Sequence, residues 1–144
     1  MKSPDGQREC SAFHKHKRIS LSGKRTTTVC LLNPSGKEVE QIEVDGCAIT
    51  DGLRCDWLVR VIGDATRKEV FIELKSSDVS RAIEQLRASI IQLSEQKSTH
   101  PKNAIIVFSR NPMDGTDVQN QKVKFLKEFN AAFKMVRDNS EMPL

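Results

Sequence analysis

Asp56, Glu73 and Lys75 are the residues of this chain whose types and spacing best suit chemistry. Glu73-Leu74-Lys75 closes one apolar stretch, and Asp56 opens another. Two carboxylates supply hard oxygen ligands, which suit Mg2+ or Mn2+ better than zinc. The carbonyl of Leu74 could add a further oxygen. A cation so bound polarises a phosphate oxygen and lowers the pKa of a bound water. Lys75 could orient that water or stabilise charge on the phosphorus centre. The cation would also answer the cost of setting two carboxylates close together.

Local structure must bring these groups together. Val70, Ile72 and Leu74 alternate with Glu69, Phe71 and Glu73, so Glu69 to Leu74 reads as a strand. Side chains in a strand alternate faces, so Glu73 and Lys75 point the same way. Asp56 to Ile62 reads as the preceding strand, and residues 63–68 as a polar turn. The two strands then form an antiparallel hairpin, in which the start of the first lies beside the end of the second. Asp56 comes close to Glu73 and Lys75 for that reason. A helix should follow, capped by Ser77 or Asp78 and running to about Gln96. Val79, Ile83, Leu86, Ile90 and Leu93 recur on it at helical spacing. Ala104 to Phe108 is a continuous apolar run that reads as a buried strand parallel to the Glu73 strand.

Asp56, then Glu73-Leu74-Lys75, then a helix carrying Gln85, resembles the PD-(D/E)xK nuclease superfamily. That superfamily includes restriction endonucleases, archaeal-type Holliday junction resolvases and RecB-like nuclease domains. The match covers roughly residues 26–110. The resemblance implies an α/β fold with a central mixed sheet flanked by helices, a restriction endonuclease-like core, a divalent metal and DNA as substrate. It implies Asp56 and Glu73 as metal ligands and Lys75 as the catalytic lysine. Gln85 matches a helix glutamine that supports the site or touches DNA in several branches. The chain departs from the pattern in three places. Cys55, not proline, precedes Asp56. The position four after Gln85, aromatic in the RecB branch, is Ser89. Many members carry an acidic residue on a helix before the sheet, and here Glu9, Glu43 and Asp45 are the alternatives.

A chain of 144 residues suffices for one domain with a buried core. It contains no apolar run near the ~18 residues of a membrane span and no secretory signal pattern. A cytoplasmic or nucleoid-associated protein is therefore expected, with Cys10, Cys30, Cys47 and Cys55 reduced. The charge is uneven. Residues 1–25 hold seven basic and two acidic residues, while the rest holds 16 and 17. The expected organisation is a basic, flexible arm over 1–25, one nuclease-like domain over 26–138 and a short tail over 139–144. The arm carries Lys17, Arg18, Lys24 and Arg25, and such an arm adds salt-dependent affinity for phosphates. Lys17 and Arg18, with Arg81 and Arg87 near the site, are the candidate DNA contacts.

Residues 26–32 are β-prone and residues 38–44 alternate, so these two segments should pair across the Asn33-Pro34-Ser35-Gly36 turn. A last helix is expected over roughly 117–137, with Phe125, Phe129, Ala132, Phe133 and Val136 on its buried face. Its lysines are better read as a solvated face than as a phosphate stripe. Cys10, Cys47 and Cys55 with His14 and His16 match no familiar zinc spacing, and small buried thiols are the better reading. Trp57 reads as core.

Glu-x-Lys by itself is ordinary on a solvated strand. The conjunction with a strand opening on Asp56 and an amphipathic helix directly after favours a metal-dependent nuclease acting on DNA, in defence, restriction or repair. The small size leaves specificity to DNA structure, a homodimer or a larger protein partner. The alternative is a catalytically inactive nuclease-like module that binds nucleic acid or assembles into a complex.

Overall fold

The computed structural model describes the chain except residues 25, 76, 77, 96–99, 111 and 112 and the side chain of Lys75. The expected roles of Arg25, Ser77, the Lys75 ammonium and Asn111-Pro112 lie outside the described residues.

The protein is α/β. Its elements run β1 (Ser11–His14), β2 (Arg18–Ser22), β3 (Thr28–Leu32), β4 (Val39–Glu43), β5 (Trp57–Val61), β6 (Glu69–Lys75), α1 (Val79–Leu93), β7 (Lys102–Phe108), α2 (Gly115–Phe129), β8 (Ala131–Arg137) and β9 (Ser140–Pro143). Six strands form a mixed sheet in the order β1-β4-β5-β6-β7-β8. β1, β4, β5 and β6 are antiparallel neighbours, and β6, β7 and β8 are parallel. No helix among the described residues is long and apolar enough to cross a membrane.

Period-two patterning puts a separate core on each face of this sheet. On one face Ile42, Leu58, Phe71, Ala104 and Ile106 pack beneath α1 and α2. On the other, Val59, Val70, Ile72, Leu74, Ile105 and Val107 pack against a second sheet of β2, β3 and β9. The central strands are therefore apolar on both sides, as buried parallel strands must be. The α1 helix begins at Asp78, whose side chain accepts a bond from the Arg81 N–H at 3.1 Å.

The second sheet corrects the expected arm. Ile19 and Leu21 are buried while Arg18, Ser20 and Ser22 are exposed, so the segment carries one apolar face among its charges. Strand β3 pairs with β2 and β9, not with the 38–44 segment, which sits in the large sheet as β4. The expected tail is strand β9, parallel to β3, with Met142 buried. The last helix is also shorter than the sequence suggests. It stops at Asn130, whose φ of 55° is left-handed and whose N–H bonds back to the Phe125 and Leu126 carbonyls. The buried Lys102 ammonium caps the same end by bonding the Phe129 carbonyl at 3.0 Å. The chain then turns into β8, where Ala131 and Phe133 face the core.

Cys10 and Cys47 form a disulfide, which corrects the expectation of four reduced thiols; Cys30 and Cys55 are free and buried. The cause is the β1–β4 pairing, Ser11 opposite Ile42, which carries Cys10 to the turn after β4. The bridge closes a loop across 37 residues. Reducing it, or replacing Cys10 by Ser, is expected to cost about 2–4 kcal/mol. Thermal melts with and without reductant should differ by about 10 °C.

Candidate active site

Asp56 stands immediately before β5 and is fixed from both sides. Its N–H donates to the Ile72 carbonyl at 3.1 Å, and its own carbonyl accepts from Val44 N–H at 3.0 Å. Its carboxylate reaches over the end of β6, where Oδ2 accepts from the Leu74 N–H at 2.8 Å. Asp56 therefore lies against the Glu73-Leu74-Lys75 segment, as the hairpin geometry requires. Glu73 is 3% exposed and shares the helix-covered face with Phe71. In the parallel register Glu73 is opposite Ile106 and Lys75 opposite Phe108.

Helix α1 positions this corner through a residue that the sequence pattern passes over. Ser89 is fully buried, and its Oγ accepts the Cys55 N–H at 2.7 Å. One hydrogen bond thus ties the helix to the residue directly before Asp56. Gln85 is one turn earlier on the same side of the helix. It is half-buried, and its Oε1 is buried with no hydrogen-bond partner among the described residues. Ser89→Ala leaves the Cys55 N–H without its acceptor. The expected cost is about 1–3 kcal/mol in urea unfolding.

The Cys55 thiol is pushed up to about 12, chiefly by burial, with the Glu73 and Asp56 charges adding to it and the Ser89 bond partly offsetting it. Cys55 is therefore a protonated packing residue and not a nucleophile.

A cleft of about 190 Å³ opens beside Asp56, lined also by Glu43, Asp45 and Trp57 and by the turn after β2. Of the alternatives for an upstream acid, Glu43 and Asp45 thus share a cleft with Asp56. Glu9 instead bonds the amino terminus at 3.0 Å. That bond, with one from the Ser11 N–H, holds its carboxyl at about 2. Burial pushes the Asp45 carboxyl up, but hydrogen bonds from Arg54 and Lys24 outweigh it and leave it below the ordinary range. Glu43 is bonded by Arg8 at 2.8 Å.

No family model, curated protein or solved structure matches this chain. The site must be read from its own geometry.

The candidate DNA contacts are dispersed. Arg81 is exposed on the first turn of α1. Arg87 is committed to packing, with bonds to Glu128 at 2.6 and 3.2 Å and a guanidinium 5.4 Å from the Phe129 ring centroid. Arg18 pairs with Glu141, and Lys17 is exposed beside it. Cys10, His14 and His16 do not assemble a zinc set. Cys10 is in the disulfide, and His14 bonds Gln41 and stacks on His16. Among the described residues no group of three or more His, Cys, Asp or Glu gathers to hold a metal ion. Asp56 meets the Glu73-Leu74 segment through the Leu74 N–H, while the Glu73 side chain is on the helix-covered face with Phe71.

Proposed function

We propose that this protein is a divalent-metal-dependent nuclease that hydrolyses phosphodiester bonds in DNA, built on a restriction endonuclease-like core. The observation that carries the reading is the bond from Leu74 N–H to Asp56 Oδ2, which sets Asp56 against Glu73-Leu74-Lys75. The order of elements supports it: an antiparallel β4-β5-β6 meander, helix α1, then β7 parallel to β6. Strands, not a helix, precede the meander among the described residues. The upstream acid is accordingly assigned to Glu43 or Asp45.

In this reading Asp56, Glu73 and the Leu74 carbonyl hold Mg2+ or Mn2+. The donor chemistry fits such an ion, and Gly23 fits it too, because a Cβ there would come within 3.5 Å of the Leu74 oxygen. The ion, when bound, supplies Lewis acidity toward a phosphate oxygen and a more acidic water. The chain's own residues do the positioning. The Leu74 N–H orients the Asp56 carboxylate, Ser89 anchors the backbone at Cys55 directly before it, and Gln85 supports the site from α1. Lys75 orients the attacking water and balances charge on the phosphate. We place the protein with DNA, in defence, restriction or repair, with specificity supplied by DNA structure, a second copy or a partner protein.

The test is calorimetric titration with Mn2+. The wild type is expected to bind, and Asp56→Asn to lose binding while its circular dichroism is unchanged. Equal binding by the variant would remove Asp56 from the site.

A further inference from the structure

The turn between β2 and β3 belongs to the second sheet, yet it touches the corner formed by Asp56 and Leu74. The indole N–H of Trp57 donates to the Ser22 carbonyl at 3.0 Å, and Gly23 N–H donates to the Thr27 carbonyl at 3.1 Å. Ile19, Leu21 and Thr27 are buried at its base. The turn is therefore seated. Gly23 does not have a positive φ, so the backbone conformation does not demand glycine. Space does. A Cβ on Gly23 would lie 3.1 Å from Leu74 Cβ, 3.5 Å from the Leu74 carbonyl oxygen and 3.8 Å from Asp56 Oδ2. The missing side chain keeps open the approach to two of the proposed cation ligands.

Lys24 follows directly. Its ammonium is 3.1 Å from Asp45 Oδ2, and its side chain is 80% exposed. A lysine so exposed gains little from its pairing and exchanges partners readily. Asp45 does not depend on it, because Arg54 Nε also bonds that carboxylate at 2.7 Å. Among the described residues lining the cleft, Lys24 is the only basic one, set among Glu43, Asp45 and Asp56. Arg8 is committed to Glu43 and Gly46, and Arg54 to Asp45 and Gly52, so Lys24 is the cation at this cleft best able to turn to a phosphodiester. The other basic cluster cannot serve there. Arg18 opens β2, four residues and about 13 Å before its last residue, Ser22, and six residues before Lys24.

We propose that Gly23-Lys24 is the phosphate-gripping turn of this site: Lys24 exchanges Asp45 for a backbone phosphate of nucleic acid, and Gly23 leaves the path to the Leu74 carbonyl clear. This rests on the nuclease reading and adds to it a substrate contact borne by the second sheet.

The test is fluorescence anisotropy with a fluorescein-labelled DNA duplex in EDTA over a range of salt, using wild type, Lys24→Gln, Lys24→Arg and, from the exposed face of α2, Lys124→Gln. Lys24→Gln should weaken binding about tenfold at low salt and reduce the salt slope by about 1. Lys24→Arg should restore both, and Lys124→Gln should match the wild type. Separately, Gly23→Ala should weaken Mn2+ binding in calorimetry with unchanged circular dichroism. A wild type that binds DNA alongside a Lys24→Gln that binds equally well would overturn the inference and leave the nuclease reading standing. A wild type with no affinity for DNA in EDTA would also overturn the inference, and the nuclease reading would then stand or fall on cleavage in Mg2+ or Mn2+ alone.

Discussion

Glu73→Gln should lower metal-dependent DNA cleavage by about 10²–10³-fold without unfolding the protein. The magnitude follows from several kcal/mol of charge stabilisation by a bound cation, at about 1.4 kcal/mol per tenfold in rate. Glutamine preserves the shape of a side chain that is 3% exposed, so the packing beneath α1 survives. Only the negative charge is lost. A carboxylate charge held at 3% exposure is costly to bury. In EDTA the variant should therefore melt at or above the wild-type temperature. The wild type should gain stability from Mn2+ by mass action, and the variant should not. A residue that merely packs would show the opposite pattern, with lower stability and an unchanged metal response. Parallel melts in EDTA and Mn2+, set beside single-turnover cleavage rates, check both halves.

Arg60→Ala should cost about 3–5 kcal/mol of stability. Arg60 is 4% exposed at the other end of the hairpin, facing Glu40 on β4 and Glu69 on β6 in register. Its guanidinium bonds Glu69 Oε2 at 3.1 and 3.2 Å, Glu40 Oε1 at 3.0 Å and the Leu93 carbonyl at 3.2 Å. Glu69, fully buried, also accepts from Ser94 Oγ and Glu95 N–H. Removing the arginine strands two buried carboxylates, which is far worse than losing an exposed pair. The same cluster joins β4, β5 and β6 to the end of α1, so it holds the hairpin whose opposite end carries Asp56 and Glu73. Burial pushes the Glu40 carboxyl up, but the Ser11 hydroxyl and Arg60 outweigh it and hold it below its unfolded value near 4.5. A depressed carboxylate contributes stability above its unfolded pKa and loses it as pH falls through the lower folded one. Urea unfolding at neutral pH should show the large Arg60→Ala loss. Below about pH 4.5 the gap between variant and wild type should narrow.

The parts of the fold that the sequence makes legible are those governed by one local period. β5 and β6 are short apolar, β-branched runs joined by a polar turn, α1 repeats its apolar residues at helical spacing, and β7 is too apolar to be anything but buried. The adjacency of Asp56 to Glu73-Leu74-Lys75 follows from the hairpin alone. Elsewhere two signals compete. Basic residues around Ile19 and Leu21 hide a strand that is apolar on one face. Phe125, Phe129 and Phe133 continue a helical spacing across a helix end, although only the first two are helical. Asn130 was the clue, since a left-handed cap favours it. Cys10 and Cys47 meet only because β1 pairs with β4, and β9 is recognisable only once β3 is there to receive it. Ser89, Gly23 and Lys24 join the site through packing between layers, which no local pattern encodes.

The most direct measurement is cleavage of linear, circular, single-stranded and branched DNA in Mg2+ or Mn2+, with Asp56→Ala and Lys75→Ala beside the wild type. Metal-dependent cutting by the wild type, abolished by EDTA and by either substitution, is expected. No cutting on any substrate, with Mn2+ leaving the melting temperature unchanged, would contradict it and leave a nuclease-like module without catalysis.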